Sequence, residues 1–415
     1  MNQNICGGIV ITVLTSLIMK LVVSVIVFAL FKLARAQNEC TFNVTNPEYE
    51  QTLPVLLYNL SSTYELAIPN QGTIVLTSGQ NISLLCSGNR NYVRQTNSNV
   101  TTVTCLENQD VKLYRKVYKF HDIKCKHAVR GDVRKTEEKC GNGQGVVYEI
   151  GYPVSRRDWV TLITVCHVPE IGHTLYTRHL LHGKEIKYAS KSSYRPGFST
   201  AGLDSSVPAS VAYKQTFQKA TFSSILKSSE LSNHFVTNKS YLSRGHLSPD
   251  ADFLQAPTQF STYYYLNTAP QWQNINAASW NSIEFTVRKL AELYGDLEVI
   301  TGTHDVLTYK DKEGHVQEIC LGSEGKLPVP KYFWKLAYGE KSNRAIVFII
   351  LNDPYVQSLE NEVFCNDICQ KEGFTKKSWK DLHSGYVFCC SYPDFLRVVK
   401  TAPRLTVDDV LSNPQ

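Results

Sequence analysis

Methionine is nearly absent from this chain, with 2 among 415 residues. Charge is modest too: 19% of residues are charged against 43% hydrophobic. That balance excludes wholesale disorder, because enough apolar side chains are present to bury a core. No internal repeat and no low-complexity tract occurs, which argues against a solenoid or an extended linker. What is plentiful is aromatic, 23 Tyr and 17 Phe, and this favours a β-containing core. The length suits one large domain and a smaller companion.

Residues 1–36 read as a targeting segment and not as fold. Two apolar runs, Ile9 to Ile18 and Leu21 to Phe31, are split by Lys20. The second has a charged start at Met19-Lys20 and ends in Ala34-Arg35-Ala36, small residues at signal-peptidase spacing, so cleavage is expected after Ala36 and Met19 is a plausible true start. The competing reading keeps Met1 and makes the stretch a signal anchor, since it is long enough to span a bilayer. Cleavage removes Lys20, Lys32 and Arg35 and lowers the formal charge from +6 to +3. Any affinity for a polyanion must then come from a local basic cleft. Sequons at Asn43, Asn59, Asn81, Asn99 and Asn238 point to a glycosylated, extracellular surface and a secreted protein with no stable membrane association after cleavage.

The 12 cysteines include Cys6, which leaves with the signal. The remaining eleven are odd in number, so disulfides would leave one thiol free or paired between chains. Zinc is the other reading of Cys365-x-x-x-Cys369 with Cys389-Cys390, but no His lies at finger spacing.

Residues 37–140 read as short strands: Thr73 to Leu76, Ile82 to Cys86 and Val100 to Cys105, punctuated by Gly, Asn and Ser. This is a small β-rich module or a pro-segment, with Arg130 to Lys139 as a charged stretch open to processing. Arg130-Gly131-Asp132 also matches an adhesion tripeptide, a match short enough to arise by chance. Residues 141–415 read as one α+β domain with strands at Val146 to Val154, Trp159 to Cys166, Leu297 to Thr301 and Arg344 to Leu351. A helix is expected over Ala277 to Tyr294, where Trp280, Ile283, Val287, Leu290 and Leu293 recur at helical spacing and Gly295 supplies the stop.

Two segments carry chemistry. One is Ser243-Arg244-Gly245-His246-Leu247-Ser248-Pro249-Asp250-Ala251-Asp252; the other runs from Asn267-Thr268-Ala269-Pro270-Gln271 to Asn276 and into the helix. The aromatic and β-branched run Phe260 to Leu266 between them suggests the order strand, strand, helix, which brings a His close to an Asn/Glu-bearing helix start. Phosphodiester hydrolysis needs a base for water, a cation for charge on phosphate oxygens, and a positioned leaving oxygen. His246, an Asn276-held Mg²⁺ and nearby Arg residues would supply them. Blander readings stand beside this one. Asn276 sits where a helix N-cap belongs, and Glu284 with Arg288 is an i,i+4 pair.

The two segments together resemble the DNA/RNA non-specific endonuclease family of ββα-metal nucleases. The family's Asp-Arg-Gly-His is matched by Ser243-Arg244-Gly245-His246, and its second motif by Asn267, Pro270, Gln271, Asn276, Trp280 and Glu284. Val299 to Gly302 and Val329 to Lys335 resemble its later core segments, so the likeness spans roughly Val146 to Val399. It implies an α+β ββα-metal nuclease domain, with a central antiparallel sheet and flanking helices, following the β-rich module. It implies a secreted endonuclease acting on DNA and RNA and leaving 5′-phosphates. By resemblance His246 is the general base and Asn276 the direct ligand of one Mg²⁺, with Mn²⁺ able to substitute. Glu284 orients a metal-bound water. Arg244, Arg288 and Arg195 contact phosphate, and Asn267 and Gln271 shape the substrate cleft.

One position departs from the pattern. Ser243 replaces the usual Asp, which bears on how His246 and Arg244 are supported. Ser-Arg-Gly-His, and Cys365 to Tyr392 with Trp379, resemble the arthropod extracellular branch, which includes duplex-preferring DNases and double-stranded RNases. A catalytically weak nucleic-acid-binding protein on the same scaffold is the alternative. His167, His173, His179 and His182 could in principle form a second metal site, though their spacings fit no helical ligand motif. Basic runs at Lys184 to Lys191 and Lys371 to Lys380 are solvated faces or phosphate contacts.

Overall fold

The computed structural model describes residues 39–46, 51–61 and 63–413; the expected signal segment lies outside them. The centre of the molecule is a nine-stranded sheet. Eight antiparallel strands run in the order Val387–Cys390, Arg344–Leu351, Pro330–Gly339, Leu297–Val306, His173–Leu181, Trp159–Val168, Gly145–Pro153 and Asp132–Cys140, and the short Asp409–Val410 pairs in parallel with Arg344–Leu351. The middle strands are buried nearly end to end, as in Ala345 to Leu351. Strands covered on both faces read as continuous apolar runs and not as alternation. The sheet opens at Asp132, so most of the charged Arg130 to Lys139 stretch is an edge strand paired with Gly145–Pro153.

Ahead of it, six strands form a sheet from Val55 to Lys119, and Glu39–Asn43 pairs separately with Thr73–Thr77. This β-rich module has its own apolar core around Phe42, Leu56, Leu84 and Val103, and that core also takes in Tyr152 and Val154 from the large sheet. The Arg-Gly-Asp tripeptide belongs to this junction. Gly131 is buried, its N–H donating to Ser261 Oγ at 2.8 Å and its carbonyl accepting from Tyr264 Oη.

Among the described residues five disulfides join Cys40–Cys105, Cys86–Cys125, Cys140–Cys166, Cys365–Cys390 and Cys369–Cys389, leaving Cys320 free and buried. The C-terminal cysteines are thus disulfide-bonded, not zinc ligands. All five sequon asparagines are exposed. Among the described residues no helix is long and apolar enough to cross a membrane.

Two details of the helix differ from the periodicity reading. It begins earlier, with one turn over Gln273–Ile275, then a π-helical segment Asn276–Trp280, then Asn281–Tyr294. Its inner face is Trp280, Ile283, Val287, Leu290 and Ala291, whereas Leu293 is 59% exposed. Gly295 ends it at φ 90°, donating to Ala291 O at 2.9 Å.

Candidate active site

A two-stranded ribbon carries the site. Leu242–His246 pairs antiparallel with Thr268–Trp272, setting Ser243 opposite Gln271 and His246 opposite Thr268. The second strand is therefore Thr268–Trp272 and not the aromatic run before it. Phe260 to Leu266 is buried throughout but joins no sheet: it runs from the end of the short helix Ala256–Phe260 through a turn and a bridge from Tyr264 to Ser199 into the 3-10 turn Tyr265–Asn267. Pro270 is tolerated in the strand because the ribbon is two-stranded and edge positions can lack an N–H. A side chain at Gly245 would lie 2.6 Å from Gln271 Oε1 and 2.7 Å from its Cβ, so this close crossing requires glycine.

Arg244 and His246, two apart on an extended strand, face one side. There both meet Phe198, the His246 ring at 5.1 Å and the Arg244 guanidinium at 5.3 Å. Tyr263 flanks the imidazole on another side at 5.1 Å. Arg244 lies over Tyr213 and Tyr265 as well, and its Nε donates to Tyr265 Oη at 3.3 Å. His246 Nε2 is enclosed and has no protein partner. Burial pushes the imidazole down to about 4, against the pull of the Asp250 carboxylate and with help from Arg195. A neutral imidazole with an unengaged nitrogen is what a general base requires.

The acids and bases around it are interlocked. Arg195 Nε pairs with Asp250 Oδ2 at 3.1 Å, and the same carboxylate accepts from Tyr263 Oη at 2.8 Å. Arg288 pairs with Asp252 Oδ1 at 2.9 Å, while His179 Nε2 lies 3.1 Å from Oδ2. Burial alone would raise Asp252, but the His179 hydrogen bond and neighbouring cations hold it at about 2. Glu284 is half-buried, and burial pushes its carboxyl up to about 7 even though Lys335 and Arg288 favour the anion. Asn276 lies in helical conformation, φ −57° and ψ −47°, within the helix and not at its cap. Its Nδ2 donates to Ser243 Oγ at 3.1 Å. The π-helical turn that begins at Asn276 is the kind of local distortion that recurs at functional positions.

Two residues expected to line the cleft are elsewhere. Asn267 and Gln271 are fully enclosed, so neither side chain is open to substrate. Asn267 spends its amide on backbone: Nδ2 donates to Ser248 O and Thr262 O at 2.8 and 2.9 Å, and Oδ1 accepts from Ser248 N at 2.9 Å. It clamps the turn that follows His246. The four histidines considered as a second metal site are not gathered either. His167 bonds Thr174, His179 bonds Ser248 and Asp252, and none joins a metal-compatible cluster among the described residues.

Lys335 escapes a sequence reading as a site residue, although a lysine inside the apolar strand Pro330–Gly339 is a visible anomaly. It is fully buried, donates Nζ to Leu247 O at 3.1 Å and to Thr301 Oγ1 at 2.5 Å, and lies 5.2 Å from the Trp280 ring. It ties the central sheet to the backbone beside His246 and to the π-helical turn. Asp250 and Asp252 escape it too. Only the folded chain shows which arginine each one meets.

A neutral His, a carboxamide and a carboxylate on one helix, and several arginines on a strand–strand–helix frame define a hydrolytic centre for anionic esters. Comparison with known proteins gives the class its family. Residues 143–395 match the family model of the DNA/RNA non-specific endonucleases, and the chain belongs to that family. It is an endonuclease, of a family that depends on divalent metal. A salivary endonuclease of Lutzomyia longipalpis is 31% identical, over 79% of this chain and 75% of that protein. Salivary protein Tsal2A of Glossina morsitans morsitans is 25% identical over 93% and 97% respectively. A salivary endonuclease of Culex quinquefasciatus is 22% identical over 90% and 93%.

Proposed function

We propose that the protein is a secreted, Mg²⁺-dependent endonuclease that cuts DNA and RNA with little sequence preference, favouring duplexes and leaving 5′-phosphate ends. The observation that carries this reading is the neutral, unpartnered Nε2 of His246, on the strand whose Ser243 holds Asn276. The salivary relatives and the exposed sequons support secretion.

The donor set fits a hard cation. Asn276 directs its nitrogen to Ser243, which leaves the carboxamide oxygen for metal, and Glu284 adds a carboxylate. One or two oxygen donors with water filling the rest is the way Mg²⁺ is usually held. The ion, when bound, neutralises charge growing on the phosphate oxygens. His246 takes a proton from water, whose oxygen bonds to phosphorus as the bond to the 3′-oxygen breaks. The departing oxygen gains a proton, giving a 3′-hydroxyl. Arg244 and Arg288 stabilise the five-coordinate phosphorus, and Arg195 exchanges Asp250 for a substrate phosphate. Asn267 and Gln271 position the ribbon without touching substrate. With a metal bound, Glu284 would orient one of its waters as the anion; burial raises its carboxyl to about 7, and Lys335 and Arg288 favour the charged form.

The decisive experiment digests plasmid DNA, single-stranded DNA and double-stranded RNA with the secreted protein, in Mg²⁺ or EDTA. Cleavage of all three only with Mg²⁺, fastest on duplex, is the expected result; equal cleavage in EDTA refutes the metal role.

A further inference from the structure

We infer that the groove between the β-rich module and the segment Tyr194 to Ala201 is a second polynucleotide-backbone site, taking phosphates that flank the bond being cut. The inference rests on the active-site reading above and extends its substrate beyond one phosphodiester. The groove encloses about 590 Å³, within the ~300–1,000 Å³ common for binding clefts. Asn89, His127 and Arg130 lie on one side, and Tyr194, Gly197 and Ser199 on the other. The family match begins at residue 143, so the first wall lies outside the matched family domain.

The groove neighbours the active site through the segment Tyr194 to Ala201. Phe198 sits between two groove residues and touches both His246 and Arg244, at 5.1 and 5.3 Å. Arg195 lies between Tyr194 and Pro196, which also line the groove. A strand leaving the His246 centre past Arg195 would meet this groove next, because one short segment borders both.

The lining chemistry suits a polyanion. Arg130 donates one N–H to Gly197 O at 3.0 Å and packs 5.0 Å from the Tyr264 ring. A guanidinium has five N–H donors in a fixed fork, so this anchoring orients the group and leaves donors for phosphate. Arg90, between lining residues Asn89 and Asn91, and Lys126, next to lining residue His127, are exposed beside the groove, Lys126 with its Nζ 5.1 Å from the Tyr92 ring. Asp132 is the carboxylate among the lining residues. Tyr194 is 38% exposed with its ring edge-on to Phe260 at 5.1 Å, a fixed aromatic surface for a sugar or an unstacked base. Arg130 in the lining, Arg90 and Lys126 beside it, and Tyr194 as the exposed ring next to Phe260 and Tyr264 suit contact with a sugar-phosphate backbone without sequence readout.

The groove is also rigid. Gly131 is bonded through both its N–H and its carbonyl to Ser261 and Tyr264, so the first wall is fixed to the catalytic domain.

The test compares Arg90→Glu/Lys126→Glu with the parent, as full secreted chains of matched melting temperature, on a duplex of about thirty base pairs and on a dinucleotide. Reversing these two charges lowers kcat/KM on the duplex about tenfold or more, and the dinucleotide, too short to reach the groove, loses far less. The slope of log rate against log salt on the duplex becomes shallower by about 2, at roughly 0.9 for each phosphate that is no longer neutralised. Equal losses on both substrates, or an unmoved duplex rate and salt slope, overturn the proposal. His246→Ala assayed on the dinucleotide separates the two readings. If it still cleaves, the active-site assignment fails, whatever the groove does.

Discussion

Asn276 donates from Nδ2 to Ser243 Oγ at 3.1 Å, and Ser243 donates in turn to Gln271 O at 3.0 Å. A serine hydroxyl has one proton. Once that proton is given to the carbonyl, Ser243 can only accept, so the carboxamide must turn its nitrogen inward and its oxygen outward. The Asp found here in similar motifs is an acceptor too, which explains how Ser can stand in for it. Ser243→Ala is predicted to weaken divalent-metal binding about tenfold, the lower end of what supporting hydrogen bonds contribute at metal sites, and Ser243→Asp to retain it. Mn²⁺ titration followed by electron paramagnetic resonance, in a His246→Ala background, reads this without turnover. Parent-like affinity in Ser243→Ala would sink the idea.

His246→Ala should lower kcat by ~10²–10⁴, the usual loss for a general base, with duplex affinity nearly unchanged. Affinity is read by fluorescence anisotropy with Ca²⁺ in place of Mg²⁺. Full activity would remove His246 from the base role, and lost affinity would make it structural.

Asn276→Ala is expected to melt close to the parent, because the residue lies inside the helix and not at the N-cap. A lost cap would cost ~1 kcal/mol. Activity should drop and cease to respond to Mg²⁺. A variant that melts early yet cleaves normally in Mg²⁺ at low temperature contradicts the ligand assignment.

Asn267→Ala removes three buried hydrogen bonds. At about 1 kcal/mol each, the loss is about 3 kcal/mol, read from urea unfolding. The turn after His246 loosens with it, so kcat should fall as well. A stability change under 1 kcal/mol would show that the clamp carries little.

Acidification should destabilise the protein between about pH 6.5 and 4. Burial holds His246 at about 4 and His167 at about 3, below the ordinary 6.5. At these two groups the unfolded chain binds more protons below 6.5, so their stabilisation is full above it and is lost as pH falls through the folded values, while Glu284, raised to about 7 from 4.5, acts in the opposite sense and offsets part of the loss. His246→Gln removes one of these groups and should flatten the decline of melting temperature with pH. An unchanged slope would mean that His246 is not held neutral.

The sequence by itself determined the frame of the domain and proposed the cast of its site. Period-three and -four apolar spacing marked the helix, continuous β-branched runs marked the buried strands, and the two motifs proposed His246, Arg244, Asn276 and Glu284, with Arg288 added by the family resemblance, because such signals are local along the chain. Other features depend on partners far apart in sequence. Ser243 meets Asn276 across the ribbon, Arg195 finds Asp250, and Lys335 reaches Leu247 from the central sheet. The burial of Asn267 and Gln271, the early helix start and the exposure of Leu293 are likewise settled by what packs against each residue. Hydrogen-bond direction and desolvation arise only when these surfaces close on one another, so tertiary structure alone decided which polar groups face substrate and which hold those groups in place.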